Sequence, residues 1–118
     1  MGGGSGPKNA FQYTIGYRQS ATIHQGRQSK HVQGSPNYQQ EVALGKHPSI
    51  VTESPDILLR EGAGSGRMIG NREILDYGRI IGKSYDLKTS QYVDTTRAAI
   101  HYDTMGHAHI VPILPLRK

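Results

Sequence analysis

The chain of 118 residues contains no cysteine. Disulfides, thiolate metal sites and cysteine nucleophiles are therefore excluded, and the chain suits either redox setting. Long apolar runs are missing as well. None approaches the length of a membrane span or a signal-peptide core, so nothing directs the chain to a membrane. Leu, Ile, Val and Phe together make up only about a fifth of the residues, at the edge of the range for disordered chains. They concentrate after Ser49, which favours one globular domain with a single two-layer core. Acidic residues are almost absent from the first half: residues 1–50 hold Lys8, Arg18, Arg27, Lys30 and Lys46 against Glu41 alone, whereas the rest nearly balances. Such basic excess, with Tyr13, Tyr17 and Tyr38 interleaved, suits a phosphate-bearing partner. No Gly-x-Ser-x-Gly elbow, no His-Glu-x-x-His motif and no internal repeat occurs.

Residues 1–6 read as a flexible linker, leaving 7–118 as one domain. Phe11 to Tyr17 alternates apolar and polar residues, which predicts a short strand or an extended arm within 7–21. Gly34 to Asn37 forms a turn, and a short helix runs from Tyr38 to Leu44, stopping at Gly45. Ser54 followed by Pro55 is a helix start, with Ile57, Leu58 and Leu59 as its buried stripe and Gly62 as its end. Gly62 to Gly66 reads as a flexible connection, since no strand precedes it as a phosphate-binding loop requires. Strands follow at Glu73–Leu75, at Arg79–Ile81 continuing to Asp86, and at Gln91–Val93. The expected class is α+β: one or two short amino-terminal helices packed on a small antiparallel sheet of three to four strands.

The last strands carry the chemistry. Asp103 to Gly106 reads as a type I turn closing a three-residue hairpin loop. Antiparallel pairing then sets His101 opposite His109 and Asp103 opposite His107, with Arg97 on the same face. Ile100 across from Ile110 and Tyr102 across from Ala108 occupy the other face. A slip of one residue would exchange the two faces.

Histidine titrates near neutrality, so two of them can act as base and acid in one reaction without a metal. Cleaving RNA needs that pair and cations to offset charge developing on phosphate. His31, His101 and His109 are the candidates for proton transfer. Lys30, Lys46 and Arg97, with Arg27 in the same basic segment, are candidates for phosphate. Thr95 reads as a strand residue, and Thr96 as a strand residue or a donor to phosphate. A zinc site from His101, His107 and His109 is a rival reading.

Gln28-Ser-Lys30-His31-Val-Gln-Gly34-Ser-Pro-Asn-Tyr38, Gly64-Ser-Gly66, Thr96, Ile100-His101-Tyr102-Asp103 and Gly106-His-Ala-His109-Ile-Val-Pro112 together resemble the polymorphic toxin type 50 domain, over roughly Thr22 to Leu116. That resemblance implies a ribonuclease toxin similar to the barnase, EndoU, colicin and RelE-like group, working without a cofactor or metal. It adds Gln28, Thr96 and Tyr102 to His31, His101 and His109 as site positions. Asp103 departs from the polar residue, such as Ser, expected there. The resemblance also implies delivery from a bacterium as the carboxyl end of a larger protein, action in the target-cell cytoplasm, and a cognate immunity protein. The basic first half makes an acidic immunity partner the expectation. The alternatives from other classes are a nucleic-acid-binding module without chemistry and an ADP-ribosyltransferase toxin, which normally needs a glutamate that the closing hairpin lacks.

Overall fold

The computed structural model describes residues 12–116. The expected linker at 1–6 and the first part of the expected arm lie outside them. The described chain is α+β, with four helices and two sheets. In chain order these are α1 (Ile15–Ser20), β1 (Thr22–Ile23), α2 (Gln25–Gln28), a 3₁₀ turn (Ser29–His31), α3 (Pro36–Ala43), β2 (Ile50–Val51) and α4 (Pro55–Gly62). Then come β3 (Arg67–Ile69), β4 (Arg72–Asp76), β5 (Gly82–Asp86), β6 (Gln91–Thr95), β7 (Arg97–Tyr102) and β8 (His107–Ile113).

The predicted cap at Ser54 forms, and the helix expected from Tyr38 starts earlier, at Pro36 within the expected turn, where Ser35 caps it. Ser35 Oγ accepts from Tyr38 N at 3.0 Å and Ser54 Oγ from Ile57 N at 3.4 Å, each with proline at the first helical position. Leu58 and Leu59 are buried as expected, whereas Ile57 is exposed. The expected arm is instead partly helical. Thr14 caps α1 by accepting from Tyr17 N, and Tyr13, Tyr17 and Arg18 turn inward. Tyr13 and Tyr17 fit an alternating pattern and an i,i+4 helical stripe equally well, and tertiary contact selects the helix.

The sheet is larger than expected and divided. Five strands run in the order β1-β8-β7-β4-β3, and three in the order β2-β5-β6. The first sheet is mixed, because β1 joins β8 in parallel while the other pairs are antiparallel. Arg79–Ile81 is not a strand: the chain bends there, leaving Ile80 exposed and Ile81 fully buried, and pairing resumes at Gly82. A Cβ at Gly82 would run into the Ile50 carbonyl oxygen and the Pro112 ring. Only glycine allows β2 to approach that closely.

The closing hairpin has the expected register, Ile100 opposite Ile110, His101 opposite His109 and Tyr102 opposite Ala108. Asp103 Oδ1 accepts from Met105 N at 2.8 Å and His107 N at 2.9 Å, and Gly106 takes φ +84°. Ile100, Ile110, Tyr102, Ala98 and Ala108 join Leu58 and Ile81 in the core. Burying each of the larger aliphatic side chains contributes about 1.5–3 kcal/mol.

One ion pair lies inside this core. Glu73 on β4 is fully buried. Its carboxylate accepts from Gly64 N at 3.1 Å, Gly66 N at 2.7 Å and the Tyr102 hydroxyl at 2.7 Å. Arg18 NH1 lies 2.8 Å from Oε2 as an ion pair, and Arg18 Nε donates to the Tyr13 carbonyl. The Gly64-Ser-Gly66 segment is therefore an ordered anion-holding turn whose anion is the protein's own carboxylate. A Cβ at Gly66 would press on the Ile74 carbonyl oxygen, so the turn depends on glycine there.

Candidate functional site

On the face of β7 and β8 turned away from the core, the 3₁₀ turn brings His31 over the hairpin. Three imidazoles stand in a row. Ring centroids of His31 and His109 are 6.0 Å apart and nearly parallel, and those of His109 and His101 are 4.9 Å apart. The His109–His101 end of the row borders an open groove of about 390 Å³ lined by Tyr13, Arg27, Asn71, His101, Asp103 and His109 among others, and His31 stands behind His109.

His31 is oriented by Ser49, whose carbonyl oxygen lies 2.9 Å from Nδ1. A carbonyl only accepts, so Nδ1 carries the proton and Nε2 is left with a free lone pair. Burial lowers the pKa of His31; the Ser49 hydrogen bond and Glu41 oppose that shift and Lys30 reinforces it. Burial also lowers His101, helped by the charges of Arg72 and His31. His109, in the middle, is pushed down to about 4 by burial and then by His101, His31, Arg27 and His24. The cluster is neutral or singly protonated near pH 7, because each proton taken up repels the next.

This arrangement links pH to stability. An unfolded histidine titrates near 6.5, and all three fold to lower values. Between about 6.5 and 4 the unfolded chain thus binds more protons, so stability is present above that window and falls as pH drops through it. A melt at pH 4.5 should come well below one at pH 7.5, with the difference reduced in His109→Gln. An unchanged difference in the variant would sink this account.

The other expected positions divide. Arg27 reaches the groove, its NH1 donating to Asp103 Oδ2 at 2.8 Å. Burial raises the Asp103 pKa, but the His107 and Met105 amides together with Arg27 outweigh it and hold the carboxyl below its usual value. Lys30 is exposed beside His31. Lys46 sits 3.4 Å from Glu41. Arg97 and Thr96 lie at the far end of β7 from His101; Arg97 NH1 donates to the Leu114 carbonyl, and Thr96 is near enough to Asp76 to help lower its pKa. Thr95, buried, donates to the Ile113 carbonyl. Tyr102 faces the core, its hydroxyl on Glu73, and the structure does not present that hydroxyl to the groove. His107 turns toward Asp103 at 3.6 Å and stands edge-on to His24, apart from the row. Among the described residues, no three His, Asp or Glu side chains converge as metal ligands.

Gln28 is buried behind β8, where Nε2 donates to the Ile110 carbonyl at 2.9 Å and Oε1 accepts from Ile110 N. Both ends of the amide are spent on backbone, which pins α2, and with it His31, to the hairpin. Gln28→Ala leaves two buried backbone groups unpaired and should cost about 2–4 kcal/mol, read as a lowered urea midpoint. A stable but inactive variant would instead make Gln28 a reacting group. Arg72, Asn71 and Ser49 also reach this region. Each arrives through non-local pairing that no local pattern announces.

The fold and site define a small α+β domain with an open groove built on clustered imidazoles. A family model described as bacterial toxin 50 matches residues 23–112, and the chain belongs to that family of bacterial toxin domains. No curated protein and no solved structure matches the chain. No helix of the described residues is long and apolar enough to cross a membrane.

Proposed function

We infer that this bacterial toxin domain is a metal-independent endoribonuclease, related to the barnase, EndoU, colicin and RelE-like group. The observation that carries the reading is the row His31–His109–His101 beside an open groove with Arg27 at its rim. Ring centroids 4.9 Å apart suit two imidazoles that address different oxygens of one phosphate.

In the proposed step the ribose 2′-oxygen attacks phosphorus and its proton passes to a neutral imidazole. The bond from phosphorus to the 5′-oxygen breaks, and that oxygen takes a proton from an imidazolium. The products are a 2′,3′-cyclic phosphate and a 5′-hydroxyl. His31, with Nε2 unprotonated, suits the base. His101 is the other candidate for the base, and His109 is the acid: a bound phosphate favours the imidazolium and raises His109 from its lowered value. Arg27 and Lys30 offset the charge on phosphate, with Lys46 and Arg97 further out. Gln28 positions His31.

Incubation with total RNA in excess chelator is expected to yield fragments ending in cyclic phosphate. Intact RNA would overturn the metal-free reading, and cleavage restored by zinc would favour a metal site. An ADP-ribosyltransferase reading would need a glutamate at the site, and Glu73, the one glutamate on the five-stranded sheet, is enclosed. The remaining rival is a binding module, for which RNA is retained and product never forms. We further propose that the domain is delivered as the carboxyl end of a larger protein and that an acidic immunity protein matches its basic first half.

A further inference from the structure

The histidine row does not stop at β7. Register places Arg72 on β4 directly opposite His101, and Ile69 on β3 directly opposite Arg72. Residues directly opposite share a face, so His109, His101, Arg72 and Ile69 form one line across four strands, each step about 4.8 Å. Arg67, paired with Ile74, occupies the same face diagonal to Arg72, about 7–8 Å away. Arg67 and Arg72 are both exposed, and neither has an ion-pair or hydrogen-bond partner among the described side chains. The other arginines around this sheet are engaged: Arg18 with Glu73, Arg27 with Asp103, and Arg97 with the Leu114 carbonyl. Ile69, opposite Arg72 and two residues along β3 from Arg67, leaves 42% of its surface in water.

The same face carries its only strand carboxylate at the opposite end. Asp76 pairs in register with Arg97 and is held ionised by the Gly78 amide and Thr96. An anionic chain crossing the sheet is therefore favoured along the Arg72 line and repelled from the Asp76 end.

We propose that Arg72, Arg67 and Ile69 form a second subsite, one that holds the phosphate and base next to the scissile bond, so that the substrate is a single-stranded RNA segment lying across the strands. This rests on the ribonuclease reading of the histidine row. The spacing of Arg67 and Arg72 fits successive phosphates better than two oxygens of one, and the exposed aliphatic surface of Ile69 beside them gives a base an apolar face to bury against, whatever its sequence. Each arginine on a single-strand phosphate contributes about 0.7 to the slope of log affinity against log salt.

The test compares fluorescein-labelled single-stranded DNA probes, a hexanucleotide and a dinucleotide with one phosphate, by anisotropy across a salt series. DNA lacks the 2′-hydroxyl and is not cut, so binding is read without turnover. The double variant Arg67→Ala/Arg72→Ala is expected to bind the hexanucleotide at least tenfold more weakly at low salt, with a salt slope shallower by about 1.4. Its preference for the hexanucleotide over the dinucleotide should shrink by the same factor. An unchanged slope, or equal losses on both probes, would overturn the subsite. A wild-type protein that binds as expected but leaves an RNA hexanucleotide intact would instead refute the ribonuclease reading and leave this surface as a single-strand binding track.

Discussion

Replacing His101 or His109 by alanine is expected to lower RNA cleavage by about 10²–10⁴, the usual worth of a general acid or base, while the protein still melts cooperatively near the wild-type temperature. Both rings lie on the open face of the hairpin, and the residues that hold its other face, Ile100, Tyr102, Ala108 and Ile110, are untouched. The double variant should lose little more than the worse single one, because groups that act as a unit are not additive. Initial rates on a labelled oligoribonucleotide, with melts of each variant, decide it. A loss under threefold at both positions would remove the imidazole pair from the reaction. Activity that falls only in step with the folded fraction would make the row structural.

The largest effect on stability is expected at Glu73. Alanine there removes the acceptor of two backbone amides and the Tyr102 hydroxyl and leaves the buried Arg18 without its counter-charge. Breaking such a pair from one side costs about 3–5 kcal/mol, a large part of the 5–15 kcal/mol that holds a domain of this kind together. Glu73→Gln keeps the shape but sets an amide donor against donors, so it should also destabilise. Urea unfolding of both variants measures this. A midpoint near wild type for Glu73→Ala would mean that water enters and replaces the carboxylate. The cost is expected at neutral pH, whereas the His109→Gln effect is confined to the acid window. The two variants thus separate a structural charge from a site charge.

Particular residues show how far local pattern reaches. Ser54-Pro55 announces its helix because a cap and a fixed φ act within one turn of chain, while Ser35-Pro36, which reads equally as a turn, proves to be the same kind of start. The hairpin is legible for the same reason: Asp103 and Gly106 set the turn, the turn sets the register, and period two sorts His101 and His109 from Ile100 and Ile110. Arg18 and Glu73 are not legible. Each counts as a surface charge in composition, and each is inside because the other, together with two glycine amides, meets it across the fold. The strand expected at Arg79–Ile81 fails because β5 and β6 leave the first sheet to pair with β2, a choice made by close approach at Gly82.

By itself the sequence determined the α+β class, the capped helix at Ser54-Pro55, the hairpin with its two faces, and the basic, histidine-bearing character of the chain, all of which rest on interactions within a few residues. Only the tertiary structure decided that His31 stacks beside His109, that Gln28 is spent on Ile110, that the Tyr102 hydroxyl belongs to the core, and that Arg72 extends the row. Those outcomes depend on which distant strand pairs with which, and pairing across tens of residues is settled by burial of the whole core rather than by any local signal.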